Sequence, residues 1–334
     1  MTLNPKNKKD FISTQDWSRK DLDRLLELTQ DVKIHPEKYR NALIGKSLCM
    51  YFYNPSTRTR NSTEVAAYQL GMHPTFNNIK DSWLGAQSES VKDTANVLAR
   101  YYDAIGIRLF PVSVNWIYKE GNRILREFAQ YSNVPIINFE DDQFHPLQAL
   151  TDIFTIKEKK GKPNGKKIVI SWAYHPKALP VSVPNSILLI TSRYGMDITL
   201  AHPKEYDLDS KIIDIAKNNI KEFGGSLTIS NEIKEAYNDA DVVYIKSWGA
   251  LKYYGNAKDE KQLRVPYRDR WRIQEEYLDF TASNSILMHC LPIRRNIVAD
   301  DAVIDGKHSI LYDQAENRLY TAKALLYYLL KEKD

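Results

Sequence analysis

Residues 56–60, Ser56-Thr57-Arg58-Thr59-Arg60, set hydroxyl and guanidinium side chains side by side where the backbone periodicity changes. Upstream lie an apolar, strand-like segment over residues 47–53 and a turn at Asn54-Pro55; downstream, residues 62–70 have helical spacing. Where a strand hands over to a helix N-terminus, free N–H groups and the positive end of the helix dipole favour an anion. Arginine adds planar, bidentate donors that match phosphate oxygens. Ser56, Thr57, Arg58 and Thr59 therefore read as a phosphate cradle, against the plainer alternative of a solvated, Arg-rich turn.

Three further places carry side chains able to do chemistry. His145-Pro146-Leu147-Gln148 follows a short strand and opens a long amphipathic helix. A histidine at a helix start is commonly structural, yet His145 and Gln148, one turn apart, can together hydrogen-bond a single small carbonyl or amide. Arg108 ends a buried strand, and a buried arginine needs an anionic partner, which a bound phosphate or a carbonyl oxygen would supply. His289-Cys290-Leu291-Pro292 also follows a buried strand, where a cysteine reads by default as a small hydrophobe.

The elements that must position these groups alternate along the chain. An amphipathic helix with Leu22, Leu25, Leu26 and Leu28 is followed by the strand over residues 47–53 and the helix after the cradle. A polar loop over residues 77–89, a helix around Val91 to Leu98, a strand over 104–110, a helix over 123–131 and a strand over 134–138 complete the first half. A Lys/Gly/Pro-rich break at residues 159–167 precedes a second set of strand candidates at 168–172, 197–200, 226–229, 241–245 and 285–289, with short helices between them. Strands alternating with helices predict parallel sheets covered on both faces. The expected fold class is α/β with two doubly wound parallel-sheet domains, residues 1–155 and 156–314. A strongly helical last segment, 315–332, packs its apolar face back on the first domain.

Bulk properties narrow the class. A chain of 334 residues has room for two cores, and 43% hydrophobic with 27% charged residues is the balance of a globular protein in water. No apolar run nears the roughly 20 residues of a membrane span, and the polar N-terminus lacks a signal-peptide core, so a cytoplasmic protein with no membrane partner is expected. Two cysteines, Cys49 and Cys290, exclude a disulfide framework and a Cys-rich metal site. A net charge of +5 without a basic, aromatic-interleaved stripe argues against nucleic acid and suits the steering of small anions.

The cradle, with Asn54-Pro55 before it, resembles the carbamoyl-phosphate signature of the aspartate/ornithine carbamoyltransferase family. His145-Pro-Leu-Gln148 and His289-Cys-Leu-Pro292 stand in the same order and places as that family's His-Pro-x-Gln and the His-Cys-Leu-Pro of its ornithine branch, and Arg108 and Arg318 match two of its arginines. The resemblance spans residues 56 to 318. It implies that Ser56, Thr57, Arg58, Thr59, Arg108, His145, Gln148, Cys290, Leu291 and Arg318 bind carbamoyl phosphate. Arg108, His145, Gln148 and Cys290 would be its catalytic residues.

Other segments resemble the N-acylornithine branch, N-acetylornithine carbamoyltransferase: residues 14–18, 131–138, Lys246-Ser-Trp-Gly-Ala-Leu251, the Pro-rich stretch over 172–186, and Arg294-Arg295-Asn296 after the Cys-Leu-Pro motif. The Ser-Met-Gly tripeptide with which ornithine enzymes grip a free α-amino group is missing. By position, Lys246, Glu140, Leu291 and Arg294 would contact the acylornithine, and Trp83 would reach into a neighbouring subunit's site; the plainer readings are a solvated lysine at a strand end and an ordinary loop aromatic. The branch implies a deep trefoil knot threaded through the 172–186 loop. It implies a homotrimer with shared sites and no metal or organic cofactor.

Two departures bear on the acyl group. The loop after Trp83 is short, with Ser88 or Glu89 where the branch places a glutamate for acetyl or a proline for succinyl, and Val298 stands where the acetyl enzymes place a lysine. The implied reaction moves the carbamoyl group of carbamoyl phosphate to the δ-amine of N-acetyl-L-ornithine, giving N-acetyl-L-citrulline and phosphate in arginine biosynthesis. N-succinylornithine, ornithine or a non-catalytic carbamoyl-phosphate-binding role are the alternatives.

Overall fold

The computed structural model describes residues 8–84 and 88–331. It divides into two compact units, Met1–Thr151 with Glu316–Asp334, and Asp152–Ala315. Gly85, Ala86 and Gln87 of the short loop, residue 332 of the last expected helix and residues 1–7 of the first expected domain fall outside the described residues.

The first unit opens with α1 (Arg19–Ile34), whose start is fixed by Ser18 accepting from the Asp21 N–H and whose apolar stripe buries Leu22, Leu25, Leu26 and Leu28. After α2 (Pro36–Tyr39) come β1 (Ser47–Phe52), α3 (Arg58–Gln69), β2 (His73–Asn78), α4 (Val91–Tyr101), β3 (Ala104–Arg108), α5 (Glu120–Tyr131), β4 (Ile136–Glu140) and the start of α6 (Pro146–Lys160). The strands form one parallel sheet in the order β2-β1-β3-β4. β3 and β4 are buried end to end and β1 from Leu48 onward, as a sheet covered on both faces requires. Gly106 is obligatory there: a Cβ would fall 2.0 Å from the Phe139 ring.

Two differences from the sequence expectation matter. β2 was not among the expected strands, because His73-Pro-Thr-Phe-Asn-Asn78 shows neither alternation nor a strong apolar run. It is an edge strand, where Pro74 is tolerated and the register Ser47↔His73 through Phe52↔Asn78 is supplied by β1. The helix expected from about Arg60 instead begins at Arg58, so Arg58 and Thr59 stand on its first turn.

The second unit contains β5 (Lys167–Trp172), α7 (Ser182–Arg193), β6 (Asp197–Ala201), α8 (Ser210–Phe223), β7 (Ser226–Ser230), α9 (Ile233–Tyr237), β8 (Val242–Lys246), α10 (Ala257–Arg264) and β9 (Ile286–Met288). All five strand candidates pair in one parallel sheet, ordered β7-β6-β5-β8-β9. The helices are not all short: α8 has 14 residues, and all 12 residues of α7 are buried. The Pro-rich stretch is only partly a loop, because α7 starts at Ser182. Pro184 sits in its first turn, where the missing N–H leaves no bond unmade.

Each sheet has one place where the strand order reverses, between β1 and β3 in the first and between β5 and β8 in the second. In open parallel sheets the carboxyl ends of such strand pairs diverge and leave room for a ligand. No helix among the described residues is long and apolar enough to cross a membrane.

Candidate functional site

At the first reversal, β1 and β3 end together: the Tyr53 N–H donates to the Arg108 carbonyl at 2.9 Å. Asn54 ties the two outgoing loops, its Oδ1 accepting from the Phe110 N–H at 2.8 Å and the Ser113 hydroxyl at 3.2 Å. This fixes the approach to α3. Thr57 precedes the helix without using its hydroxyl as a cap, so the first-turn N–H groups are not spent on it. Arg60 turns aside, its guanidinium 3.6 Å from the centre of the Phe76 ring and its Nε 3.4 Å from Glu64. Ser56, Thr57, Arg58 and Thr59 are left at the strand-to-helix handover.

Behind the handover lies a buried polar cluster. Arg108 donates through Nη1 to Glu140 at 2.6 Å, with both side chains 9% exposed. His145, immediately before α6, has Nε2 3.5 Å from the same carboxylate. From the C-terminal helix (Leu311–Leu330), Arg318 donates through Nη1 to Gln148 and through Nη2 to the Thr59 hydroxyl at 3.2 Å, and its Nη1 is 3.4 Å from His145 Nε2. The first unit therefore assembles Thr59, Arg108, Glu140, His145, Gln148 and Arg318 from five elements. The cluster holds two guanidiniums, of which Arg108 is paired with its single carboxylate, which leaves it net positive. The Arg108 Nε–H is buried without a hydrogen-bond partner among the described residues, a donor that a bound oxyanion would satisfy. The anionic partner expected for Arg108 is already present as Glu140, which sequence reasoning had assigned to the second substrate.

At the second reversal, β5 and β8 end in register, Trp172 opposite Lys246, and the Ala173 N–H donates to the Lys246 carbonyl at 3.0 Å. Lys246 is buried, its ammonium donating to the Ser247 carbonyl at 2.9 Å. Arg264 at the end of α10 holds the following segment, donating to the Ser247 hydroxyl at 3.1 Å and the Trp248 carbonyl at 3.0 Å while paired with Glu260. It also donates to the His175 carbonyl at 3.2 Å. The Lys177 N–H donates to His175 Nδ1 at 3.1 Å. Burial, joined by the positive fields of Lys246, Arg294 and Arg264, outweighs the pull toward protonation from the Lys177 carbonyl 2.9 Å from Nδ1 and holds His175 down at about 4. The imidazole is neutral at physiological pH.

After β9, Cys290 is a half-buried thiol that forms no disulfide. Leu291 has the left-handed φ of +55°, and its N–H donates to His289 Nδ1 at 2.8 Å. A leucine held there is strained, and the turn is pinned upstream by the His289 N–H donating to Gln314 at 2.9 Å. Arg294 is exposed.

Trp83 belongs to neither cluster. It is 73% exposed and borders a cavity of about 250 Å³ with Tyr51, Asn77, Ser82 and Thr94. Its carbonyl accepts from the Ser88 N–H at 3.1 Å and the Ser88 hydroxyl at 3.2 Å. Sequence reasoning missed Asn54, His175 and Arg264 as contributors. His175 stood inside the Pro-rich stretch and lies three residues past β5, which was the available signal. Nothing local marks Arg264. No group of three or more His, Cys, Asp or Glu side chains among the described residues could hold a metal ion.

Residues 9–158 match the family model described as aspartate/ornithine carbamoyltransferase, carbamoyl-P binding domain, and residues 179–329 match its Asp/Orn binding domain. N-acetylornithine carbamoyltransferase of Xanthomonas campestris pv. campestris is 44% identical over 332 residues, covering 95% of this chain and 96% of that protein. Ornithine carbamoyltransferase of Methanocaldococcus jannaschii is 39% identical over 317 residues, covering 95% and 97%. A crystal structure of acetylornithine transcarbamylase complexed with acetylcitrulline superposes with a TM-score of 0.90 at 42% identity, covering 97% of this chain and 100% of that one.

Proposed function

The chain belongs to the aspartate/ornithine carbamoyltransferase family, and from that premise we propose that it transfers the carbamoyl group of carbamoyl phosphate to the δ-amine of N-acetyl-L-ornithine. The observation that carries this reading is the buried, net-positive cluster of Arg108, Glu140, His145, Gln148 and Arg318 beside the Ser56–Thr59 handover. In it, phosphate oxygens take the α3 N–H groups and the Ser56, Thr57, Arg58 and Thr59 side chains. Arg108, His145 and Thr59 polarise the carbonyl oxygen, where negative charge builds in the tetrahedral transition state. Gln148 and Arg318 orient the carbamoyl group.

The neutral δ-amine attacks the carbonyl carbon, a C–N bond forms, and the C–O bond to phosphate breaks. The departing phosphate takes the amine proton. No protein nucleophile is needed, and alignment supplies much of the acceleration. Lys246, Leu291, Arg294 and Glu140 serve the acceptor, and Cys290 and the Leu291 carbonyl face the reacting nitrogen. The first unit is then the carbamoyl-phosphate domain and the second the acylornithine domain. A neutral acyl-nitrogen accords with the missing Ser-Met-Gly tripeptide.

Two structural elements of the proposal rest on the same family reading. The 172–186 stretch is the loop of a trefoil knot, in support of which the Gly249 N–H donates to the Leu179 carbonyl at 2.9 Å. A cyclic homotrimer brings the exposed Trp83 to a neighbour's site. The deciding experiment is product formation from carbamoyl phosphate with N-acetylornithine, N-succinylornithine and ornithine in parallel. Turnover of N-acetylornithine alone is expected; turnover only of ornithine or of N-succinylornithine overturns the acetyl assignment, and none with any acceptor overturns the reaction.

A further inference from the structure

On the C-terminal helix, one turn and a half beyond Arg318, Lys323 is only 3% exposed. No described residue offers its ammonium a hydrogen bond or an ion pair. A buried ammonium in that state is expensive, and burial pushes its pKa below the ordinary lysine value. The carbonyls of Tyr68 and Gln69, which line the same pocket, are already engaged, Tyr68 with the Gly71 N–H at 3.0 Å and Gln69 with the Asn41 N–H at 3.3 Å.

Lys323 instead lines an open pocket of about 850 Å³, formed with α2, the turn over residues 40–44 and the end of α3. Arg40 lines it too, exposed and without a side-chain partner among the described residues, and Glu37 on the same wall pairs with neither cation. Gly71, at φ +84°, lets the chain close the pocket; a Cβ there would meet the Asn41 Cα at 2.9 Å. The rest of the lining combines apolar Pro36, Ile44, Tyr68 and Met72 with the amides of Asn41 and Gln69, and Ile44 and Tyr68 are each 75% exposed at the rim.

We propose that this pocket is a second anion site, taking a phosphate or carboxylate with an apolar body, its head at Lys323 and Arg40 and its body against Tyr68 and Ile44. It is separate from the phosphate cradle but shares two elements with it. The helix α3 carries Arg58 at its first turn and Gln69 at the pocket, and the C-terminal helix carries both Arg318 and Lys323. The proposal does not depend on which acceptor the protein uses.

Phenyl phosphate is a suitable probe, titrated calorimetrically into the full chain carrying Arg58→Ala to weaken the cradle. One equivalent is expected to bind, at least about tenfold more weakly when Lys323→Met is added and with affinity restored by Lys323→Arg. Lys323→Met keeps the length of the stem and leaves carbamoyl transfer unchanged. In the wild-type chain, phenyl phosphate should also slow acetic-anhydride labelling of Lys323, followed by mass spectrometry. Absence of binding, binding indifferent to Lys323→Met, or unprotected labelling overturns the proposal. So does a change of oligomeric state with Lys323→Glu in the absence of any phenyl phosphate binding, which assigns the pocket to a neighbouring copy's carboxylate.

Discussion

The two strand-order reversals are finished in opposite ways. At the end of β1 and β3 the charged groups answer one another: Arg108 with Glu140, Arg318 with Gln148 and Thr59, His145 between them. At the end of β5 and β8 the ammonium of Lys246 rests on a main-chain carbonyl, the nearby histidine is kept neutral, and Arg294 stands exposed. A closed network holds its donors in place before a ligand arrives, which suits a small ligand of fixed shape whose charge must be met at once. A looser, positive surface suits a substrate that differs among relatives. The division of labour proposed here follows from that difference, and each half of it can be broken.

The largest effect is expected at the closed end. Arg108→Ala removes the donor proposed for the carbonyl oxygen and strands Glu140 in a buried place. Activity should fall about 10²–10³-fold, and urea denaturation should show a loss of about 3–5 kcal/mol. Pairing Arg108→Met with Glu140→Leu sharpens the point, because an apolar pair of similar size should recover most of the stability and none of the activity. If the double variant regains turnover, the network is scaffolding and the comparison fails.

The open end is tested by Lys246→Met, which keeps the stem and loses the charge. KM for the acceptor should rise by about 10–100-fold, the scale of a lost charge-assisted hydrogen bond, while affinity for carbamoyl phosphate in its absence stays put. An equal loss for both substrates would mean that the two ends do not divide the work.

How far the sequence alone reaches also differs between the two ends. Arg108, His145 and Gln148 were legible because they stand at element boundaries, and Arg318, well inside its helix, was legible only through the family resemblance. The role of Glu140 as the partner of Arg108 was not legible. The two residues meet through a register shift between β3 and β4 after Ile107, which no local pattern announces. The strand β2 escaped notice because its pairing comes from β1 and not from its own residues. At the open end, Lys246 and the Cys290-Leu291 turn were visible, whereas Arg264 acts through carbonyls distant in sequence. Lys323 sits in an apolar helical run, and only the three-dimensional arrangement reveals that its ammonium has nothing to bind.

The smallest predicted effect tests whether the open end is truly held in a neutral-imidazole state. His175 has its pKa lowered to about 4 from an ordinary 6.5, so the unfolded chain takes up its proton before the folded one does. The stability this contributes is present above about pH 6.5 and is lost as pH falls toward 4. Because the ring is partly exposed, solvent screening limits the contribution to about 1 kcal/mol. His175→Gln keeps a polar side chain that does not titrate. Comparing urea midpoints at pH 7 and near pH 4.5, the wild-type chain should lose more stability than the variant, because burial first and the fields of Lys246, Arg294 and Arg264 second keep the folded ring neutral. An identical loss in both chains would show that the histidine titrates alike folded and unfolded, and the contrast between a closed, self-answering end and an open, positively charged one would lose its second half.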